Sequence, residues 1–373
     1  MNRKRKIGLF TMPLGTNYGG ILQLVALQYF LNQQGYETIL INRRYPSSMV
    51  KRMAKKIVET NGIFDLKEIA FKKKISIELD RFKAKYIPSS TRPLYTEAAL
   101  IKDTKKQQFD TVIVGSDQVW RIGYMQGIWQ HAFLNFISKP ETKKIAYAAS
   151  FGNETWDYPK LSPKISELLL KFDAVSVRED SGIAICKEHF GCADVQHTID
   201  PTLLVDDGFY RQFLKERADL HPTGIFAFFL DQDSQKRDIF EQLEKALRIK
   251  GTIFPIGKKI SEYKRLRGYK KPRVEEWLYG FATADFVITD SYHGMLLSLV
   301  FERPFLAIAN KKRGLARFTS VLKKLGLENR LMHEKGQLPL EILSKPINYE
   351  EVRTKLEIWR KESELFLINA LEK

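Results

Sequence analysis

KIGLFTMPLGTNYGGILQLVALQYFLNQQGYETILIN, residues 6–42, decides how the rest of the chain is read. A short apolar run (6–12) leads into the polar turn Gly15-Thr16-Asn17-Tyr18-Gly19-Gly20. ILQLVALQYFLNQQG then places Leu24, Leu27, Gln28 and Leu31 at helical spacing and stops at Gly35. A second apolar run, ETILIN (37–42), follows. Strand, helix and strand in so short a span is a βαβ unit, and that unit implies a parallel sheet.

Residues 46–92 interrupt the rhythm with basic amphipathic helix patterns and read as an insertion. The alternation then resumes with FDTVIVG (109–115), KIAYAAS (144–150), FDAVSV (172–177) and DVQHTID (194–200) as strands. A second series follows: IFAFFL (225–230), TIFPIG (252–257), FVIT (286–289) and PFLAIA (304–309). Helices centre on 235–249, 274–282, 294–302 and 314–325. Ile-, Val- and Phe-rich strands separated by helices belong to parallel sheets covered on both faces. The expected fold class is therefore α/β, with two Rossmann-like doubly wound domains facing a cleft, at 1–205 and 206–373. The last helix, from about 348, carries Val352, Leu356 and Trp359 on one face and is expected to pack back across the junction.

Composition sets the outer limits. The 373 residues are 44% hydrophobic and 28% charged, enough for two ordinary cores without disulfides. Cys186 and Cys192 flank His189, but three ligands on one helix and turn make a poor zinc cage, so two reduced thiols are expected. No metal or cofactor is expected. MNRKRKIGLFTMPLG starts like a signal peptide, yet Pro13 and Gly15 break its apolar run. No apolar run reaches the roughly 18 residues of a membrane span, so the expected location is cytoplasmic. The net charge of +17 is concentrated, with +9 on residues 43–92 and +7 on residues 258–273. Such runs usually solvate a surface, but they also suit a phosphorylated ligand or an anionic membrane face. Nucleic acid is not expected, because no nucleic-acid-binding motif accompanies the charge.

In open α/β sheets ligands bind outside the carboxyl ends of the strands. The polar clusters GTNYGG, GSDQ, SFGN, RED and TDSYHG all fall there. The GTNYGG turn opens a helix, whose free N–H groups favour an anion, although Thr16 or Asn17 could equally be a helix cap. It lacks the signature of a Walker loop, and G-x-G-x-x-G is missing, so a kinase or dehydrogenase is not expected. Arg178 can grip a carboxylate in two parallel hydrogen bonds, or pair with Glu179 or Asp180. Of the six histidines His293 alone stands at a strand end directly before a helix; it reads as a catalytic group or as a satisfied turn residue, with Asp290 its candidate orienter. Lys311, Lys312, Arg313 and Arg317 supply cations after the next strand, suited to phosphate or to a solvated turn.

Together GTNYGGILQLVALQ (15–28), FDTVIVGSDQVW (109–120), IAYAASFG (145–152), VSVRED (175–180), IDPTLL (199–204), ITDSYHG (288–294) and PFLAIANKKRGLARF (304–318) resemble the polysaccharide pyruvyl transferase family. The resemblance, over roughly residues 6–330, implies a fold like the GT-B arrangement and a transfer of pyruvate from phosphoenolpyruvate to sugar hydroxyls as a ketal. Arg178 would hold the pyruvyl carboxylate, His293 would be the acid, and Lys311 or Lys312 would meet the phosphate. Phosphoenolpyruvate would be a co-substrate, and the acceptor a saccharide or lipid-linked oligosaccharide. Thr16, Asn17, Tyr18, Gly19, Ser116, Asp117 and Gln118 are expected on the acceptor side. The basic segment is expected to approach the inner face of an anionic membrane. Many members carry arginine two residues before the histidine, where this chain has Ser291, so the contact made there passes to Arg313 or Arg317 or is lost. Two other readings stand beside this one. One is a GT-B glycosyltransferase with Glu302 on the ribose of a nucleotide sugar; the other is a non-catalytic binding subunit.

Overall fold

Parallel pairing of the first two strands sets the architecture. In the computed structural model, β1 (Lys6–Phe10) pairs in parallel with β2 (Glu37–Leu40), joined by α1 (Tyr18–Gln33). The structure describes residues 3–46, 66–125, 127–215, 224–256, 271–309, 313–333, 338–339, 341 and 345–372. After α2 (Leu66–Tyr86) and α3 (Glu97–Gln107) come β3 (Thr111–Val114), β4 (Lys143–Ala149), α4 (Ser162–Leu169), β5 (Ala174–Val177), α5 (Asp180–Phe190) and β6 (Val195–His197). These strands form a parallel sheet of order β2-β1-β3-β4-β5-β6.

The second sheet is built from β7 (Ile225–Phe228), α6 (Ser234–Leu247), β8 (Gly251–Ile253), α7 (Val274–Thr283), β9 (Phe286–Thr289), α8 (Tyr292–Val300), β10 (Phe305–Ala309), α9 (Ala316–Leu325) and β11 (Leu331–His333). Its order is β11-β10-β9-β7-β8, again parallel throughout. The periodicity does not mark β11, α3 or α4. β11 is a three-residue edge strand, too short to show a period. Each sheet reverses its strand order once, between β1 and β3 and between β7 and β9. A reversal opens a crevice at the carboxyl end, because the helices leaving the two strands go to opposite faces.

α1 departs from the one-faced helix its leucine spacing implies. It is buried nearly all round, including Gly19, Gln23, Val25 and Ala26 between the leucines. The reason is that both halves pack on it. Tyr18 stacks on Trp277 of α7 at 5.2 Å between ring centroids and meets Phe228 and Phe254 edge-on. Burying an aromatic of this size contributes about 2–3 kcal/mol, here across the junction. The Tyr18 hydroxyl also donates to the Pro272 carbonyl (2.6 Å). α10 (Tyr349–Glu372) lies across both halves. Trp359 donates to the His197 carbonyl (3.2 Å), Arg360 to that of Leu203 (2.8 Å), and Lys355 to that of Leu325 (3.3 Å).

Of the two basic runs, α2 and the residues after it are described and residues 47–65 and 257–270 are not, so the expectation of a membrane-facing surface falls largely outside the described residues. Among the described residues no helix is long and apolar enough to cross a membrane, and no group of three acidic, histidine or cysteine side chains could hold a metal ion. Cys186 and Cys192 are free thiols.

Candidate active site

The loops leaving the two switch points face each other. Between them lies a cavity of about 290 Å³, lined on one side by Thr16, Asn17, Asp117 and Gln118 and on the other by Ser291, His293, Arg313 and Arg317. That is close to the smaller end of the roughly 300–1,000 Å³ typical of small-molecule sites.

His293 is held by contact rather than by a hydrogen bond. It occupies the first turn of α8, 5% exposed, with its ring against Gly19 of α1. A Cβ at Gly19 would lie 2.2 Å from the ring, so glycine is required there. Its Nε2 has no hydrogen-bond partner among the described residues. Burial pushes its pKa below the usual histidine value, and Arg178 and Arg317 add to the shift while Asp200 and Asp117 oppose it. Burial thus favours the neutral imidazole, and negative charge arriving beside it would favour a proton.

Asp290 is not the orienter of His293. Its carboxylate accepts from the Leu230 and Asp231 amides (2.5 and 3.0 Å) and from buried Lys236 (2.9 Å). It thus shapes the loop after β7, and Asp231 of that loop pairs with Arg313 (2.5 and 3.0 Å). The carboxylate beside His293 is Asp200, with Oδ2 3.9 Å from Nε2. Asp200 stands three residues beyond β6, so the same strand-end rule that marks His293 also marks it, within the quoted IDPTLL.

Arg178 does not line the cavity. It is fully buried and donates to Asp200 Oδ2 (2.7 Å), with Glu179 at 3.5 Å and Asp117 at 3.7 Å. Its expected grip on a substrate carboxylate gives way to ion pairing, with Asp200 in the leading place and Asp180 not involved. Burial alone would lower its pKa, but Tyr292 and the three carboxylates hold it above the usual value. The guanidinium lies over the Tyr292 ring at 4.5 Å, and Arg317 lies over the same ring at 5.2 Å. Tyr292, within the TDSYHG cluster but given no role there, is approached by both cations and lines the cavity itself.

Arg317 is the exceptional charge. It is 6% exposed and lines the cavity, and among the described residues it donates only to the backbone carbonyls of Gly314 (3.3 Å) and Arg313 (2.5 Å). No carboxylate among the described residues is within ion-pair distance of it. Burial, with Arg178 nearby, lowers its pKa to about 10, so it stays charged at neutral pH. A buried cation without a counter-ion is unfavourable until an anion joins it.

The remaining expected contacts divide. Thr16, Asn17, Asp117 and Gln118 line the cavity as read. Asn17 stands at the N-cap position of α1, yet its side chain makes no capping bond and reaches instead towards Asp117 (3.5 Å). Tyr18 turns away to Trp277, and Ser116 is buried, donating to the Ala148 carbonyl (2.8 Å) and to Asp200 (3.3 Å). Both are corrections: these side chains hold the fold under the site. Ser291 lines the cavity, but its hydroxyl caps α8 by accepting from the Gly294 amide (3.3 Å). Lys311 and Lys312 lie outside the described residues. Glu302, the residue on which a nucleotide-sugar site would depend, is ion-paired with Arg353 of α10 (2.9 Å) and does not line this cavity.

Two Rossmann-like domains with a cleft between their switch points are the GT-B-like arrangement. The chain is similar to the UDP-N-acetylglucosamine 2-epimerase of Rickettsia bellii, at 12% identity over 99% of this chain and 98% of that one, with a TM-score of 0.56. An α-glucosyltransferase solved with UDP and a 13-mer DNA aligns over 100% of both chains at 12% identity and a TM-score of 0.49. Such likenesses concern the fold alone. Curated proteins gave no match. Residues 17–312 match the family described as polysaccharide pyruvyl transferase, and the chain belongs to that family.

Proposed function

We propose that the chain transfers the pyruvyl unit of phosphoenolpyruvate to two hydroxyls of a saccharide, forming a cyclic ketal and releasing phosphate. The observation that carries this reading is Arg317, a buried guanidinium facing the cavity without a carboxylate partner. With Arg313 it offers a cationic wall to an anion, and it supplies the charge that Ser291 does not.

The reaction is balanced as follows. C3 of phosphoenolpyruvate takes a proton, and the first sugar hydroxyl bonds to C2. The C2–O bond to phosphate breaks, and the second hydroxyl bonds to C2. The two hydroxyl protons balance the one gained by C3 and the one taken by phosphate. His293, which lines the cavity and whose Nε2 has no hydrogen-bond partner among the described residues, is the acid for C3. Arg313 and Arg317 stabilise the departing phosphate, a role that needs preset positive charge at the leaving oxygen. Asn17, Asp117 and Gln118 on the opposite wall offer the mixed donors and acceptors that sugar hydroxyls require. The charge of residues 43–92 supports a lipid-linked acceptor and action at the inner face of a membrane.

Calorimetry with phosphoenolpyruvate tests the donor, with and without a saccharide present. Arg317→Ala should weaken binding about ten- to a hundredfold, the range for a charged hydrogen bond. A wild type that binds no phosphoenolpyruvate under either condition, or an Arg317→Ala variant that binds it unchanged, would sink the reading.

A further inference from the structure

A second cavity, of about 430 Å³, opens at the other end of the first sheet. It lies beside the start of β2 at Glu37 and the second half of α1, where Gln28, Tyr29 and Asn32 line it. From Gly19, which touches His293, to Gln28 is roughly 14 Å along the helix. The two cavities are therefore separate sites joined by one rigid element.

Two independent features mark the second cavity as a binding site. First, Gln28 is 5% exposed and its Oε1 has no hydrogen-bond partner among the described residues. Its Nε2 has only a long contact to Thr38 Oγ1 (3.5 Å), whose own hydroxyl proton goes to Asn32 Oδ1 (2.9 Å). Whichever way the amide is turned, one of its polar atoms lacks a partner among the described residues, and the side chain lines the cavity. A buried amide left so is unfavourable until a ligand completes it. Second, the rim is aromatic. Tyr29 is 40% exposed with its ring 4.5 Å from that of Phe209, and Phe209 continues into Phe213 at 5.2 Å.

An aromatic face beside side-chain amides matches one ligand chemistry closely. A pyranose ring presents C–H groups on one face and hydroxyls at its edge, each hydroxyl both donor and acceptor. Gln28, Asn32 and Gln212 can each serve as both. Among the described residues no guanidinium lines this cavity, and its two charged side chains, Lys4 and Glu37, are of opposite sign, in contrast to the pair of cations at the catalytic cleft. We infer that this cavity is a second saccharide-binding site, which holds a part of the glycan other than the residue being modified. The inference rests on the family's polysaccharide substrate class and not on phosphoenolpyruvate as donor.

The test is retention of the full chain on an array of defined oligosaccharides, without phosphoenolpyruvate. The variants are Tyr29→Ala, Gln28→Leu and His293→Ala. Tyr29 is partly exposed, so its variant should fold. We expect wild type and His293→Ala to retain the same glycans, and Tyr29→Ala to bind them about tenfold more weakly. Gln28→Leu removes an unpartnered buried amide, and should weaken glycan binding while keeping or raising Tm. No glycan retained by the wild type would overturn the inference. So would a glycan lost in His293→Ala but kept in Tyr29→Ala, since that would place all binding in the catalytic cleft. Phosphoenolpyruvate calorimetry on the same Tyr29→Ala protein should be unchanged, which separates this inference from the proposed donor.

Discussion

Where the first sheet reverses its strand order, the loops after β1 and β3 bring Asn17, Asp117 and Gln118 to the cleft. Where the second reverses, the loop after β9 brings Ser291 and His293, and the segment after β10 adds Arg313 and Arg317. The same topological device thus serves both halves, but the chemistry is divided between them. The carboxylates gathered around Arg178 come from the first half: Asp117, Glu179 and Asp200. The cations that reach the cavity come from the second. The carboxylates are already engaged, because Arg178 lies among all three. The cations are only partly engaged, because Asp231 answers Arg313 and no carboxylate among the described residues answers Arg317. A cleft closed by its own ion pairs would repel an anion; this one leaves one positive charge for the ligand.

The largest expected effect comes from breaking the engaged side. Asp200 is fully buried, bonded to Arg178, Ser116 and Thr202, and its pKa is held down by His293 and Arg178 against the upward push of burial. Asp200→Ala would leave the Arg178 guanidinium buried without its main partner. We expect a loss of roughly 3–5 kcal/mol in stability, read from the urea midpoint. A loss below about 1 kcal/mol, the scale of an exposed pair, would show that Glu179 and Asp117 suffice for Arg178.

Next in size is a change that joins the halves too tightly. Gly19→Ala puts a methyl 2.2 Å from the His293 ring, which must then rotate or move away. Since a displacement of about 1 Å at a reacting group can cost a hundredfold in rate, kcat/KM for the proposed pyruvyl transfer should fall by about that factor. Circular dichroism should show the helices intact. An active Gly19→Ala enzyme would mean that the packing of α1 against the imidazole does not set its position.

How far the sequence foretells all this differs between the two halves of the argument. The strand–helix alternation is legible because buried parallel strands read as apolar runs: FVIT occupies Phe286–Thr289 as expected, and KIAYAAS differs by one residue. His293 is legible for the same reason, as the imidazole at a strand end. Its partner is not, because Asp290 is near in sequence while Asp200 is near in space. Arg178 shows the same limit. An arginine after a strand looks available, and only the packing of three carboxylates around it reveals that it is engaged. Gln28 marks the limit of periodicity, since a glutamine among helical leucines reads as one more core position.

The smallest expected effect bears on the neutral state of His293. With its pKa pushed down by burial, the imidazole favours its neutral form. An anion bound against Arg317 would favour the imidazolium and raise that pKa. Affinity for phosphoenolpyruvate should then increase as pH falls through the raised, liganded value, by at most about tenfold per pH unit, and level off below the depressed free value. Binding in that window should take up a fraction of a proton, measurable as a dependence of the calorimetric enthalpy on the ionisation heat of the buffer. The phosphate of the ligand titrates nearby, so the informative quantity is the difference between wild type and His293→Gln, in which only the imidazole is missing. An equal proton uptake by the two proteins would remove His293 from the role of acid. It would leave the cationic wall of the second half as the cleft's main contribution to the chemistry.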